Sequence, residues 1–179
     1  MDLKIFEIID EQNIVCFTGR LNLLKPQTNE HVGSIIFIDG QIVNALWKGC
    51  APFKALMNLF IKFYEQDLKV VVEPELIDEK YIKLSYPLEK FKRLAIESIE
   101  NYLKTKGERP SDHLKLYIKP EFIKTGNDVV QEEFNLLCTL GEYNKVSDVY
   151  EKCEMLDHEI TYALINLRKK NAIKVVDVK

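Results

Sequence analysis

The sequence predicts an α+β fold: a small antiparallel sheet with flanking helices, a connecting helix, and a C-terminal three-helix unit resembling a winged helix. Three observations carry that expectation. An Asp39-Gly40 pair lies between two β-rich runs, Ser34 to Ile38 and Gln41 to Leu46. Apolar residues recur at helical spacing from Phe53 to Tyr64. Three short helical periods then crowd between Asp128 and Asn171, with brief connections and a β-rich run after them. The implied division is an α+β domain over 1–85, a connecting helix and linker over 86–112, and a winged-helix-like domain over 113–179.

Leu3, Ile5, Phe6, Ile8 and Ile9 suit a short helix ending near Asn13. Beyond Gly19, Arg20 to Leu23 alternate as a half-buried strand does, and Lys25-Pro26-Gln27-Thr28-Asn29 supplies turn residues. Asp39-Gly40 tolerates positive φ at both central positions of a type I′ turn, so the runs on either side form a hairpin. Phe53, Leu56, Met57, Phe60 and Phe63 or Tyr64 form the stripe of an amphipathic helix that packs on it. Leu68 to Val72 reads as another strand, ended at Glu73-Pro74 because proline cannot donate to a ladder. The unit is therefore α, β, β, β, α, β.

Pro87 suits the opening of a helix, where its missing N–H costs nothing, and Leu88, Phe91, Ala95, Ile99 and Tyr102 mark its stripe to about Lys106. Gly107 to Asp112 reads as a flexible linker and Leu114 to Lys119 as a strand. Asp128 with Gln131 resembles a capping box, and Val130, Phe134, Leu137 and Cys138 line one face of a helix stopped by Gly141. Val146, Val149, Tyr150 and Cys153 define the next helix. Ile160, Ala163, Leu164 and Leu167 define a third, opening near Asp157 and closing at Arg168 to Asn171. The last strand, Ile173 to Val178, finds its natural partner in Leu114 to Lys119.

The chain has 179 residues, 46% of them hydrophobic and 30% charged, the composition of a globular protein. Its formal net charge is −3, so no global positive field invites nucleic acid or an anionic membrane. By segment the balance is −3 over 1–85, +3 over 86–125 and −3 over 126–179. The basic middle either docks on the acidic flanks or an acidic partner, or is a solvated helix face. Acids at Asp2, Glu7 and Asp10 argue against a signal peptide, which predicts a cytoplasmic location, and no run is long enough to span a membrane.

Cys16, Cys50, Cys138 and Cys153 lack metal-ligand spacing and read as buried thiols. His31, His113 and His158 have no ligand-spaced companions, and no nucleophile elbow or phosphate cradle occurs. No cofactor is implied. These residues therefore point away from an enzyme.

Phe17-Thr18-Gly19-Arg20-Leu21 with Gly33, Phe37, Asp39, Gly40, Ile42 and Ala45 on the hairpin, then Gly49, Ala55 and Leu56 at the helix, resemble the PATAN domain of bacterial signalling proteins over about residues 3–75. Cys50-Ala51-Pro52 departs from that pattern at the helix entry. The resemblance implies a role in protein interaction and brings no catalytic set.

The expected function is thus a non-enzymatic bacterial signalling adaptor, its partner a protein of a signalling system, with self-association possible at a sheet edge. The expected contacts are Trp47, a residue type enriched at binding hot spots, the hairpin tip Asp39 and Gly40, and the basic helix residues Lys90, Arg93 and Lys104. One alternative is a DNA-binding transcriptional regulator using Lys115, Lys119, Arg168, Lys169 and Lys170. Against it stand the carboxylates of Asp157 and Glu159 at the start of the third helix and the macrodipole's own preference for cations in a last turn. A second alternative is a small-ligand or second-messenger sensor with a pocket lined by Arg20 and Arg93.

Overall fold

The computed structural model describes residues 3–125 and 128–177. The chain divides into two compact units, Met1–Glu100 and Asn101–Lys179, with the boundary inside one long helix. The fold is α+β. Its described residues form seven helices, a four-stranded antiparallel sheet and a two-stranded one.

The first unit runs α1 (Lys4–Ile14), β1 (Gly19–Leu24), β2 (His31–Ile38), β3 (Gln41–Leu46), α2 (Pro52–Gln66) and β4 (Lys69–Pro74), then most of α3 (Leu88–Thr105). The order α, β, β, β, α, β is the predicted one. The sheet order is β3-β2-β1-β4, so the strand after α2 returns beside the first. Register places Leu21 opposite Ile35 and Leu23 opposite Gly33, which sets one face of the sheet as core. Leu59 of α2 sits against Gly33, where an added Cβ would lie 2.7 Å from its methyl and 2.5 Å from the Leu46 carbonyl. The Phe6 and Phe60 rings, 5.6 Å apart edge to face, join α1 to α2. The Asp39-Gly40 turn has positive φ at both residues, +48° and +76°, as the sequence requires.

The sheet's edges end differently. Beyond β4 the chain forms a 3₁₀ turn, Glu79–Tyr81, and returns beside β3, where the Lys83 and Leu84 N–H groups both donate to the Val43 carbonyl at 2.9 Å. Asn44 Nδ2 donates to the Tyr81 carbonyl (2.9 Å) in the same place. β3 is thereby covered, while β4's outer edge has no partner among the described residues.

The second unit holds the end of α3, then β5 (Lys115–Ile118), α4 (Pro120–Lys124), α5 (Gln131–Glu142), α6 (Val146–Lys152), α7 (Asp157–Lys169) and β6 (Ile173–Val176). β5 pairs antiparallel with β6, from Lys115 opposite Val176 to Ile118 opposite Ile173, the predicted partnership. Val178 lies outside the described residues. Leu136, Val146, Val149, Ile160, Leu164 and Leu167 form the centre of one core. The sequence did not announce α4, and α5 continues through Gly141 to Glu142.

Three sequence expectations are corrected here. The buried face of α5 is Glu133, Leu136 and Leu140, not the stripe of Val130, Phe134 and Cys138, which is exposed; Leu137 is half-buried between the two. α5 is apolar on two sides, so periodicity alone sets its phase ambiguously. The capping group is also different: Glu133 Oε2 accepts the Val130 N–H at 3.1 Å. Of the four cysteines only Cys153 is buried; Cys16 and Cys138 are exposed and Cys50 is half-buried. Cys16 lies in a turn with φ +51° and Cys138 on the outer face of α5.

Candidate interaction surfaces

The hairpin tip is tied inward. The Gly40 N–H donates to the Phe17 carbonyl (2.8 Å), the Asp39 N–H to Thr18 Oγ1 (3.0 Å), and Asn13 Nδ2 to the Gly40 carbonyl (3.1 Å). Gly40 is buried, and a Cβ there would stand 2.7 Å from the Asn13 carbonyl oxygen. Only the Asp39 side faces solvent.

Trp47 directly follows β3 and is half-buried, with the Lys48 ammonium 4.9 Å from its ring centroid. It shares a surface groove of about 210 Å³ with His31, Val32, Leu46 and Cys50. Lys90 lies 4.1 Å over the Tyr86 ring. Arg93 lines a groove of about 450 Å³ with Phe6, Glu89, Lys92, Ile96 and Glu97. There Lys92 donates to Asp10 (2.5 Å) and Glu89 (3.1 Å). Burial opposes the Lys92 charge, yet those carboxylates hold its pKa above the ordinary lysine value. Lys104 is exposed near Asn101 at 3.4 Å.

The sheet's second face carries a polar ladder that sequence reasoning missed. Ser34 Oγ donates to Asn22 Oδ1 (2.6 Å), Asn22 Nδ2 donates to Glu73 (2.6 Å), and Arg20 pairs with Glu75 at 2.5 Å. His31 Nε2 lies 2.9 Å from Ser34 Oγ. Because the single serine proton is committed to Asn22, the histidine nitrogen must be the donor. That polarity is the reverse of a histidine base activating a serine. The ladder ties β1, β2 and β4 together, and Arg20 is occupied by Glu75 rather than grouped with Arg93 in a pocket.

The five cations of the DNA-binding alternative have unequal freedom. Lys170 Nζ donates to the buried Glu133 carboxylate at 2.6 Å and to the Asp128 carbonyl at 3.1 Å. Lys119 bonds Asn171 Oδ1. Lys115 is half-buried, and only Arg168 and Lys169, at the end of α7, are fully exposed without such a bond among the described residues. The outward residues before them on α7 are Tyr162 and Asn166, so no cationic ridge runs along the helix.

Arg109, read from sequence as part of a flexible linker, is an anchor. Its guanidinium lies 4.0 Å from the Tyr150 ring centroid and bonds Asp112 (2.8 Å) and Asp157 (3.3 Å). Burial opposes its charge, and the hydrogen bond to Asp112 with the Asp157 carboxylate raises its pKa above the usual guanidinium value. Beneath it Tyr150 Oη meets Thr161 Oγ1 at 2.8 Å, and burial pushes the phenol up to about 12. The cavity they border is about 50 Å³, room for water and not for a metabolite.

The exposed side of α5 is the other feature the sequence misassigned. Val130 (54% exposed), Phe134 (52%) and Cys138 follow one another at i, i+4 and i+8, an apolar stripe facing water. No family model, curated protein or solved structure matches the chain.

Proposed function

We propose that the chain is a non-enzymatic signalling adaptor that binds a protein component of a bacterial signalling system. The observation that carries this reading is the outward stripe of Phe134 and Cys138 on α5 with Val130 at its N-cap. A helix whose inner face is already satisfied by Leu136 and Leu140 gains nothing in the monomer from a second apolar face, and such faces serve helix docking. The resemblance of residues 3–75 to the PATAN domain supports the same class of role, and Trp47 in its groove offers a second anchor.

The regulator alternative is weakened because Lys170 and Lys119 serve the unit's own structure, which leaves few cations for phosphate contacts. The test is affinity capture with the full chain and with Phe134→Asp. Recovery of a sensor kinase, receiver or motility component by the parent and its loss with the variant supports the reading. Equal recovery by both, or a DNA mobility shift that survives the substitution, overturns it.

A further inference from the structure

We infer that the outer edge of β4 is a homodimer interface, in which a second copy of this chain adds its own β4 antiparallel across a two-fold axis at Val71. This proposal stands apart from the adaptor reading and uses a different surface. Its first ground is the asymmetry of the sheet: β3's edge is covered by the returning connector, and β4's edge is open among the described residues. Lys69, Glu73 and Pro74 guard these six residues of strand edge against indiscriminate pairing, so a strand that adds there must match their charges.

The second ground is the strand's own sequence, Lys69-Val70-Val71-Val72-Glu73. Paired antiparallel about Val71, Lys69 faces Glu73 of the other copy twice over, Val70 faces Val72, and Val71 meets itself. Opposite residues share a face, so both ion pairs and the Val71 self-contact fall on the side carrying Asn22 and Arg20, and the Val70–Val72 pairs on the α2 side. Among the described residues Lys69 and Glu73 bond only neutral amides, Asn29 Oδ1 at 3.3 Å and Asn22 Nδ2 at 2.6 Å, so each charge is available for an ion pair. A parallel in-register pairing would set lysine against lysine. The charges therefore favour the antiparallel orientation over the parallel one, as like charges directly opposite are unfavourable. Pro74 falls opposite Leu68, at the end of the pairing, where its missing N–H costs little.

The third ground is a fit between an exposed side chain and a groove. Leu76, two residues past the strand, is 97% exposed. A surface groove of about 440 Å³ beside the start of β4 is lined by Ile8, Phe63, Leu68 and Val70 together with the charged Lys4, Asp67 and Lys69. In the pairing about Val71, the partner's chain leaves its strand alongside residues 66–68, next to that groove. Val72, 40% exposed in the monomer, would be covered by the opposing Val70.

The experiment is sedimentation equilibrium on the full chain and four variants: Lys69→Glu, Glu73→Lys, the double swap, and Leu76→Asp. The parent should show about twice its 20.9 kDa chain mass at high protein concentration. Each single reversal, which sets like charges opposite at both symmetry-related contacts, should weaken association by about tenfold or more. The swap should restore it, and Leu76→Asp should weaken it while thermal unfolding of the monomer stays unchanged. A parent that remains monomeric, a dimer indifferent to the reversals, or a swap that fails to restore association overturns the proposal.

Discussion

Lys170→Ala separates a structural cation from a surface one. The Glu133 carboxylate is only 2% exposed, whereas the Lys170 side chain that neutralises it is 37% exposed. Exposed ion pairs contribute about 0–1 kcal/mol, and removing one partner of a fully buried pair costs about 3–5 kcal/mol. With one partner sealed and the other half in water, the loss should fall between, about 2 kcal/mol, or roughly 30-fold in the unfolding equilibrium of the second unit. Glu133 keeps the Val130 N–H, so the helix start survives and the uncompensated charge dominates. Lys169→Ala, one position away and exposed, should change stability by less than about 0.5 kcal/mol. Combining Lys170→Met with Glu133→Gln retains an acceptor for Val130 and removes the buried charge, so it should recover most of the loss. Urea unfolding by circular dichroism, with amide exchange read in α5 and α7, gives each value. Equal behaviour of Lys170→Ala and Lys169→Ala, or full additivity in the double variant, would refute the reasoning.

Other perturbations have signs set by the same geometry. Gly40→Ala should lower the melting temperature of the first unit at a cost of about 2 kcal/mol, because φ is +76° and the Asn13 carbonyl stands 2.7 Å from the new Cβ. Tyr150 titrates higher folded, at about 12, than at its ordinary value of 10.0, so folding favours the neutral phenol. Its contribution is therefore complete below pH 10 and is lost as the pH rises towards 12, by order of 2–3 kcal/mol, in denaturation curves taken across that range. Tyr150→Phe should abolish that slope. Arg109→Lys should keep a charge beside Asp112 and Asp157 yet recover little of the stability that Arg109→Ala loses, because a lysine cannot reproduce the planar stack on Tyr150; thermal melts of both variants decide it.

Much of the fold was legible because local signals agreed. Asp39-Gly40 specified its hairpin, the stripe from Phe53 to Phe63 specified α2, and Pro87 marked the approach to α3. The surfaces were less legible. Asp39 and Gly40 looked like a free tip, but Phe17 and Asn13, remote in sequence, take up the turn's backbone groups. Lys170 looked like one of a basic trio, but Glu133, 37 residues away, claims it. Gly107 to Asp112 had every mark of a linker, and Arg109 within it fastens to Tyr150 because cation–π and ion-pair partners carry no short-range signature.

The sequence by itself determined most of the secondary elements, α4 excepted, together with the α+β class and the pairing of the two terminal β-rich runs of the second unit. Those follow from turn chemistry and from periods of two and 3.6 residues, which are local properties. Tertiary structure alone decided which face of α5 is buried, which lysines are free, and that β4 lies at the sheet's open edge. Each of these depends on groups far apart in sequence meeting in space, and a helix with two apolar sides or a strand with a palindromic edge is compatible with more than one such meeting until the core is packed.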